Sequence, residues 1–72
     1  MSKILAECGE ALYGPRWQTN LAEDLGVSDR TIRRWHAGTQ DVPRGAYTDL
    51  LRLTLERAQL LDSLAERLRE LG

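Results

Sequence analysis

Glycine and proline residues divide the first half of this chain into short segments and leave the second half uninterrupted. The interruptions are Gly14-Pro15, Gly26, Gly38 and Pro43. No glycine or proline occurs between Tyr47 and Leu71. Proline lacks an amide donor, and glycine readily takes the left-handed backbone conformation that ends helices, so short helices are expected between the interruptions. The segment from Tyr47 onward is expected to form one long helix or two in tandem.

Apolar residues recur at helical spacings of three and four in every segment, which is the pattern of amphipathic helices. In the first three segments the residues expected to face inward are Ile4, Leu5, Cys8, Ala11 and Leu12; Leu21, Ala22 and Leu25; and Thr31, Ile32 and Trp35. In the last segment the same spacing recurs at Leu51, Leu55, Ala58, Leu61, Ala65 and Leu68. Ser2 and Ser28 stand where helix N-caps are needed, and Pro43 stands in the expected first turn of the fourth helix. Leucine and alanine dominate the apolar residues and favour helices. The predicted fold class is therefore all-α, with four to five helices.

The size and composition of the chain exclude several classes of protein. Its 72 residues suffice for one domain, residues 1–72, near the lower size limit for a hydrophobic core. The lone Cys8 cannot form an intramolecular disulfide, and no cluster of cysteine and histidine offers the ligands of a metal site. Cys8 and the lone His36 fall on different predicted helices, so no catalytic residues, enzyme activity or cofactor are predicted. No apolar run has the length of a signal peptide or a membrane span, which predicts a cytoplasmic protein without a membrane partner.

Because the chain has almost no net charge, the placement of its arginines decides whether it can bind nucleic acid. The formal net charge is -1, so any surface for nucleic acid must come from local clustering of arginine. If Ile32 and Trp35 face inward, helical geometry turns Arg30, Arg33 and Arg34 outward. A guanidinium can donate two hydrogen bonds to guanine or bind a phosphate, which readout of the major groove requires. Taken alone, however, such a cluster is more often a solvated helix face.

The segment from Gln18 to Gly38 has the spacing of a two-helix motif. It reads QTNLAEDLGVSDRTIRRWHAG. Ala22 supplies a small residue where two helices would cross, and Gly26 can take the positive φ of a tight turn. Apolar residues follow at Val27, Ile32 and Trp35. The segment resembles the helix-turn-helix of the lambda-repressor and Cro family, and this resemblance implies a lambda-repressor-like domain with a long C-terminal helix.

The resemblance also implies a recognition helix over residues 28–37 and a set of DNA contacts. Base contacts are expected from Arg30, Arg33, Arg34 and Asp29, and phosphate contacts from Gln18, Thr19, Ser28, His36, Thr39 and Gln40. Arg33 is the first choice for a bidentate contact with guanine. Asp29 and His36 are explained at least as well by complementing the dipole of their helix. Trp17 and Trp35 are expected in the core rather than stacked on bases.

The last segment contains more leucine than a core of three short helices can cover. Leu61, Leu64, Leu68 and Leu71 are therefore expected to pair with a second copy, within a dimerisation segment of about residues 45–71. A homodimer doubles the few base contacts of one motif. It predicts a pseudo-palindromic operator in double-stranded DNA, with half-site centres roughly 34 Å, or a multiple of that distance, apart.

Two functions from different classes follow from these expectations. Resemblance to small regulators of phages and mobile elements, which include antitoxins and the repressors that accompany anti-CRISPR genes, implies transcriptional repression. The alternative is a protein-interaction module, antitoxin-like or an adaptor, that uses the C-terminal leucine face and binds DNA weakly. Neither function requires a small-molecule ligand.

Overall fold

A computed structural model describes residues 2–72, and this part of the chain is all-α, with no β-strand. The helices are α1 (Lys3–Tyr13), α2 (Trp17–Leu25), α3 (Asp29–Ala37) and α4 (Arg44–Leu71), with a 3-10 turn at Gly14–Arg16. The molecule is elongated, with dimensions of 48 × 22 × 20 Å, because α4 extends beyond the other helices. The predicted all-α class is confirmed.

The number of separate helices is smaller than the four to five that the sequence predicted. Helical structure continues from Lys3 to Leu25, because the 3-10 turn joins α1 directly to α2. Pro15 lies at the start of this turn, where its missing amide costs no hydrogen bond. The segment after Pro43 forms one helix rather than two in tandem, and Pro43 is its N-cap rather than part of its first turn. Residues 2–72 therefore form three separate helical stretches.

The predicted helix ends are confirmed by local hydrogen bonds and backbone angles. The hydroxyls of Ser2 and Ser28 each accept a hydrogen bond from the amide three residues later, at 3.2 and 3.1 Å. Gly26 and Gly38 follow α2 and α3 with φ angles of 71° and 84°. Residues with a Cβ adopt this left-handed conformation only at a cost, which explains glycine at both positions.

The core lies where the first three helices meet the start of α4. Its buried residues are Leu5, Trp17, Leu21, Ala22, Ile32, Trp35, Ala46 and Leu50. Leu5, Leu21 and Ile32 are fully buried, one each from α1, α2 and α3. The two tryptophans are buried as predicted, whereas Cys8 is half-buried at the edge of the core. The core thus fixes α3 to the rest of the domain by one face.

A close contact between α1 and α2 requires a glycine at position 9. Gly9 is buried in α1, and a Cβ built there would overlap the indole atoms Cε3 and Cδ2 of Trp17. The absence of a side chain at Gly9 lets the indole lie directly on the α1 backbone. This contact sets the position of α2, because Trp17 is its first residue.

The faces of α1 and α4 that pack on the core differ in part from the predicted ones. Leu50 is 3 % exposed and Leu53 is half-buried, whereas Leu51 and Leu55 are 59 % and 57 % exposed. Two leucine stripes run side by side along α4, and the one turned inward is the stripe that begins at the small, buried Ala46. In α1, Ile4 and Ala11 are exposed rather than buried. The predicted inward positions of Ile4 and Ala11 are therefore wrong, and the α4 stripe from Leu51 to Leu68 that the spacing marks is mostly exposed.

The second half of α4 extends beyond the core. With 28 residues, α4 is about 42 Å long, roughly twice the width of the domain. We call residues 58–71 the α4 tail; all of them are exposed except Ala65, which is half-buried. Despite its leucines, α4 lacks the sustained apolar character of a membrane span, and so do the other helices of residues 2–72.

Two long-range hydrogen bonds connect the end of α1 to the other helices. The hydroxyl of Tyr13 donates to Oδ2 of Asp24, near the end of α2. The guanidinium of Arg57 in α4 donates to the carbonyl of Leu12 at 3.0 Å. Burial of the Tyr13 phenol, together with the hydrogen bond to Asp24 and the negative charge of that carboxylate, raises the pKa of Tyr13 from 10.0 to about 12.

Replacing Gly9 by alanine is expected to destabilise the fold. The new methyl group has to displace Trp17 from α1, and overpacking of this kind costs about 1–3 kcal/mol. Gly45→Ala is the matched control, because a Cβ at Gly45 meets no atom within 4 Å and alanine favours the helix by roughly 0.5–1 kcal/mol. Urea unfolding measures both free energies; equal effects of the two variants would show that the Gly9–Trp17 contact is unimportant.

The hydrogen bond between Tyr13 and Asp24 is expected to make stability fall at alkaline pH. The pKa of Tyr13 is higher in the folded chain than in the unfolded chain, so its contribution is fully present below pH 10.0 and is lost between pH 10.0 and about 12. Tyr13→Phe removes this titration and leaves the other alkaline groups unchanged. The difference in unfolding free energy between wild type and Tyr13→Phe is expected to be constant from pH 7 to 9 and smaller at pH 11. A difference that does not change with pH would contradict the assignment.

Candidate nucleic-acid interface

A turn of three residues, Gly26 to Ser28, sets the angle between α2 and α3. The amides of Gly26 and Val27 both donate to the carbonyl of Ala22, at 3.0 Å for Val27. Ser28 then caps α3, and its hydroxyl also lies 3.0 Å from that of Thr31. Because the end of α2 and the start of α3 share these contacts, the two helices are held as one unit.

One face of α3 is buried and the opposite face is exposed. Ile32 is fully buried and Trp35 is 4 % exposed, in the same cluster as Leu21 and Ala22 of α2. The face opposite to them consists of Arg30, Arg33, Arg34 and Ala37, all exposed. The outward direction of the three arginines follows from helical geometry, as expected from the sequence.

The three arginines of α3 have no acidic partner in residues 2–72. The ion pairs found within 4.0 Å are Arg52–Glu56 and Arg69–Glu66, and both lie on the exposed surface of α4. The guanidinium groups of Arg30, Arg33 and Arg34 therefore keep their donors available for a ligand. A surface of this kind attracts anionic oxygens and base acceptors.

Asp29 differs from the arginines because it already has a partner. The hydroxyl of Thr19 in α2 donates to Oδ2 of Asp29 at 3.4 Å. Asp29 is half-buried in the first turn of α3, where a carboxylate complements the helix dipole. The contact brings the first turn of α2 beside the first turn of α3. Gln18 and Thr19 are thereby placed close to the start of the arginine face.

The N-terminus of α2 borders an open cleft of about 570 Å³. The cleft is lined by Pro15, Arg16, Trp17, Gln18, Thr19 and Asn20. No side chain caps the first amides of α2, so these donors can bind an anion such as a phosphate. Sequence reasoning selected Gln18 and Thr19 but missed Arg16 and Asn20. The charge of Arg16 directly before the helix start is the signal that could have identified it.

Three other predicted phosphate contacts have structural roles at the ends of α3 or lie beside it. Ser28 is exposed and caps the start of α3. The amide and the hydroxyl of Thr39 both donate to the carbonyl of Arg34, at 3.1 and 3.3 Å, and so close the end of α3. Gln40 is exposed in the loop that follows. Ser28 and Thr39 thus lie at the two ends of α3, and Gln40 lies just beyond its end.

His36 is partly drawn into the core. It is half-buried, and its ring meets that of Trp17 edge to face, with centroids 5.4 Å apart and planes at 88°. Its Nδ1 is buried without a hydrogen-bond partner in the described residues, as is Nε1 of Trp35. His36 thus contributes to packing, unlike the exposed arginines of the same helix.

The other predicted residues and sites lie elsewhere or are not found. Leu61, Leu64, Leu68 and Leu71 are all exposed on the α4 tail. In residues 2–72 no group of three or more histidine, cysteine, aspartate or glutamate residues is arranged to hold a metal ion. No protein-family model, curated protein or solved structure matches this chain.

Proposed function

We propose that this protein is a sequence-specific regulator of transcription that binds double-stranded DNA as a homodimer, in the manner of a repressor. In this proposal α2 and α3 act as a helix-turn-helix, and α3 enters the major groove. The observation that carries the proposal is the outer face of α3: Arg30, Arg33 and Arg34 are exposed and have no acidic partner in residues 2–72. The inner face of the same helix is anchored in the core.

The dimensions and chemistry of α3 suit the major groove. An α-helix with its side chains is about 10–12 Å across, and the groove of B-DNA is about 12 Å wide. Arg33 lies more than one turn beyond the cap at Ser28, and its guanidinium can donate to O6 and N7 of guanine. Arg30 and Arg34 lie one turn apart on the same exposed side and can bind bases or flanking phosphates.

The start of α2 supports the proposal from a second position. Gln18 and Arg16 line the open cleft at the start of α2 and offer side-chain donors to a phosphate. The contact between Thr19 and Asp29 holds this site next to the start of α3. A phosphate bound there would fix the orientation of α3 in the groove.

The exposed leucines support a homodimer. Leu61, Leu64, Leu68 and Leu71 are 57 %, 39 %, 66 % and 85 % exposed. Contiguous apolar surface of this kind marks an interaction site. Two copies related by two-fold symmetry would bind a pseudo-palindromic operator, and occupancy of a promoter would block transcription.

The same leucines also favour the second candidate, a protein-interaction module that binds another protein through the α4 tail. Selection of bound fragments from a random duplex library separates the two candidates. A regulator enriches one motif with two-fold symmetry, whereas an interaction module enriches none. A selection at low salt that enriches no sequence motif would overturn the DNA-binding proposal.

Arg33→Ala is expected to weaken binding to the selected site by about 1–3 kcal/mol, because one bidentate contact with guanine is lost. The preference at one base position is expected to relax while the melting temperature stays unchanged. Arg52→Ala is the matched control: it removes the same charge from an exposed pair on α4 and is expected to leave DNA affinity nearly unchanged. Fluorescence anisotropy with the cognate duplex and its single-base variants measures both effects. Equal affinities of Arg33→Ala and wild type would remove Arg33 from the interface.

Gln18→Ala is expected to weaken cognate and random duplexes by similar factors, because a phosphate contact carries no sequence information. Gln59→Ala, on the exposed α4 tail, is the control and is expected to change neither affinity. Binding isotherms on both duplexes at several salt concentrations provide the measurement. A loss confined to the cognate duplex would show that Gln18 reads a base instead.

A further inference from the structure

The α4 tail carries apolar residues at coiled-coil spacing on a stripe that is largely exposed. Ala58, Leu61, Ala65 and Leu68 follow one another at spacings of three, four and three residues. Alternating spacings of three and four are the pattern of a coiled-coil seam. Leu61 is 57 % and Leu68 is 66 % exposed. Ala58 and Leu61 border an open groove that α1 lines from the other side. We call these four residues the tail seam.

Small and large residues alternate along the tail seam, and this alternation favours an antiparallel partner of the same sequence. In a parallel pair, identical positions meet, so alanine would face alanine and leucine would face leucine at one common helix separation. Close packing cannot then be reached in every layer. In an antiparallel pair, Ala58 can face Leu68 of the second copy while Leu61 faces Ala65 of the second copy. Every layer then contains one alanine and one leucine.

The charges beside the tail seam agree with this register. Asp62 and Arg69 lie on the same flank of the seam, one heptad apart. In the antiparallel register, Arg69 lies diagonally opposite Asp62 of the second copy, and helical side chains lean toward the N-terminus, which brings the two groups together. Arg69 pairs with Glu66 at 2.8 Å, but both side chains are about two-thirds exposed and can exchange partners.

The opposite flank of the seam is apolar. Leu64 and Leu71 lie there, one heptad apart, and Leu64 of one copy would lie close to Leu64 of the second. The register therefore covers Leu61, Leu64, Leu68 and Leu71, four of the five exposed leucines of the tail, and leaves the charged residues at the edge.

From these features we infer that two copies pair through their α4 tails as an antiparallel coiled coil. The two-fold axis crosses the pair at the level of Ser63 along the helices. The inference rests on the dimer of the proposed function and adds its orientation and register. At the level of Leu50 the two copies would be roughly 39 Å apart along the helix axis. This separation is comparable to the roughly 34–36 Å between adjacent half-sites on DNA.

Cysteine cross-linking tests the orientation without DNA. Ala58→Cys and Leu68→Cys are each made in a Cys8→Ala chain and oxidised alone or mixed. In the antiparallel register, position 58 faces position 68 of the second copy, whereas two identical positions are offset by roughly 15 Å along the axis, too far for a disulfide. A covalent dimer is expected in the mixture and not in either sample alone. Gln59→Cys, away from the seam, is the control and is expected to form none.

Each other outcome overturns a defined part of the inference. Covalent dimers in the separate samples would show a parallel pair, which overturns the orientation and leaves the proposed dimer intact. A wild-type chain that sediments as a monomer at all concentrations overturns both. A dimer that cross-links in no combination pairs through another surface, which overturns the role of the tail seam.

Charge reversal provides an independent test of the register. Asp62→Arg or Arg69→Asp alone is expected to raise the dimer dissociation constant roughly three- to tenfold, because like charges meet in two symmetric places. The double variant Asp62→Arg with Arg69→Asp restores the opposite charges and is expected to return to the wild-type value. Sedimentation equilibrium measures all four chains. If the double variant loses as much dimer affinity as the two single variants lose together, the two residues do not meet.

Discussion

The packing of Ile32 and Trp35 against α2 determines which side chains of α3 are exposed to solvent. A helix of nine residues is too short to be stable alone in water, so α3 depends on this burial and on its cap at Ser28. Once the inner face is fixed, the exposed face is fixed as well, and it consists of arginines without acidic partners. A rigid helix also offers its side chains at low entropic cost. The stability of the core and the chemistry of the surface are therefore two results of the same contact.

Features that depend on neighbouring residues could be predicted from the sequence, and features that depend on distant contacts could not. The caps at Ser2 and Ser28 and the left-handed glycines at Gly26 and Gly38 follow from local backbone chemistry. The role of Gly9 could not be predicted, because it needs Trp17 to approach from another helix. The choice between the two leucine stripes of α4 likewise depends on where the domain lies, which periodicity does not encode.

The candidate site also contains features that the sequence could predict and features that depend on contacts between helices. The exposure of Arg30, Arg33 and Arg34 was predictable because it is the geometric complement of two buried residues on one helix. The hydrogen bond between Thr19 and Asp29 and the edge-to-face contact of His36 with Trp17 join residues from α2 and α3. Their placement depends on the angle that the Gly26 turn imposes. These contacts reduce what Asp29 and His36 can offer a ligand. The sequence already offered a helix-dipole role for both residues, but it gave no sign of their partners Thr19 and Trp17.

In the proposed function, the energetics of base recognition account for the exposed leucines of α4. A bidentate contact of one arginine with guanine contributes about 1–3 kcal/mol of discrimination, whereas specific sites are preferred over random DNA by roughly 4–10 kcal/mol. One α3, with one or two such contacts, reaches only the lower end of that range. A second copy doubles the contacts, but it requires apolar surface that the monomer leaves in water, where it is a liability for aggregation. In the proposed dimer, pairing that surface with itself would remove the liability. It would also link occupancy of the operator to the concentration of the protein, because only the dimer would carry two copies of α3.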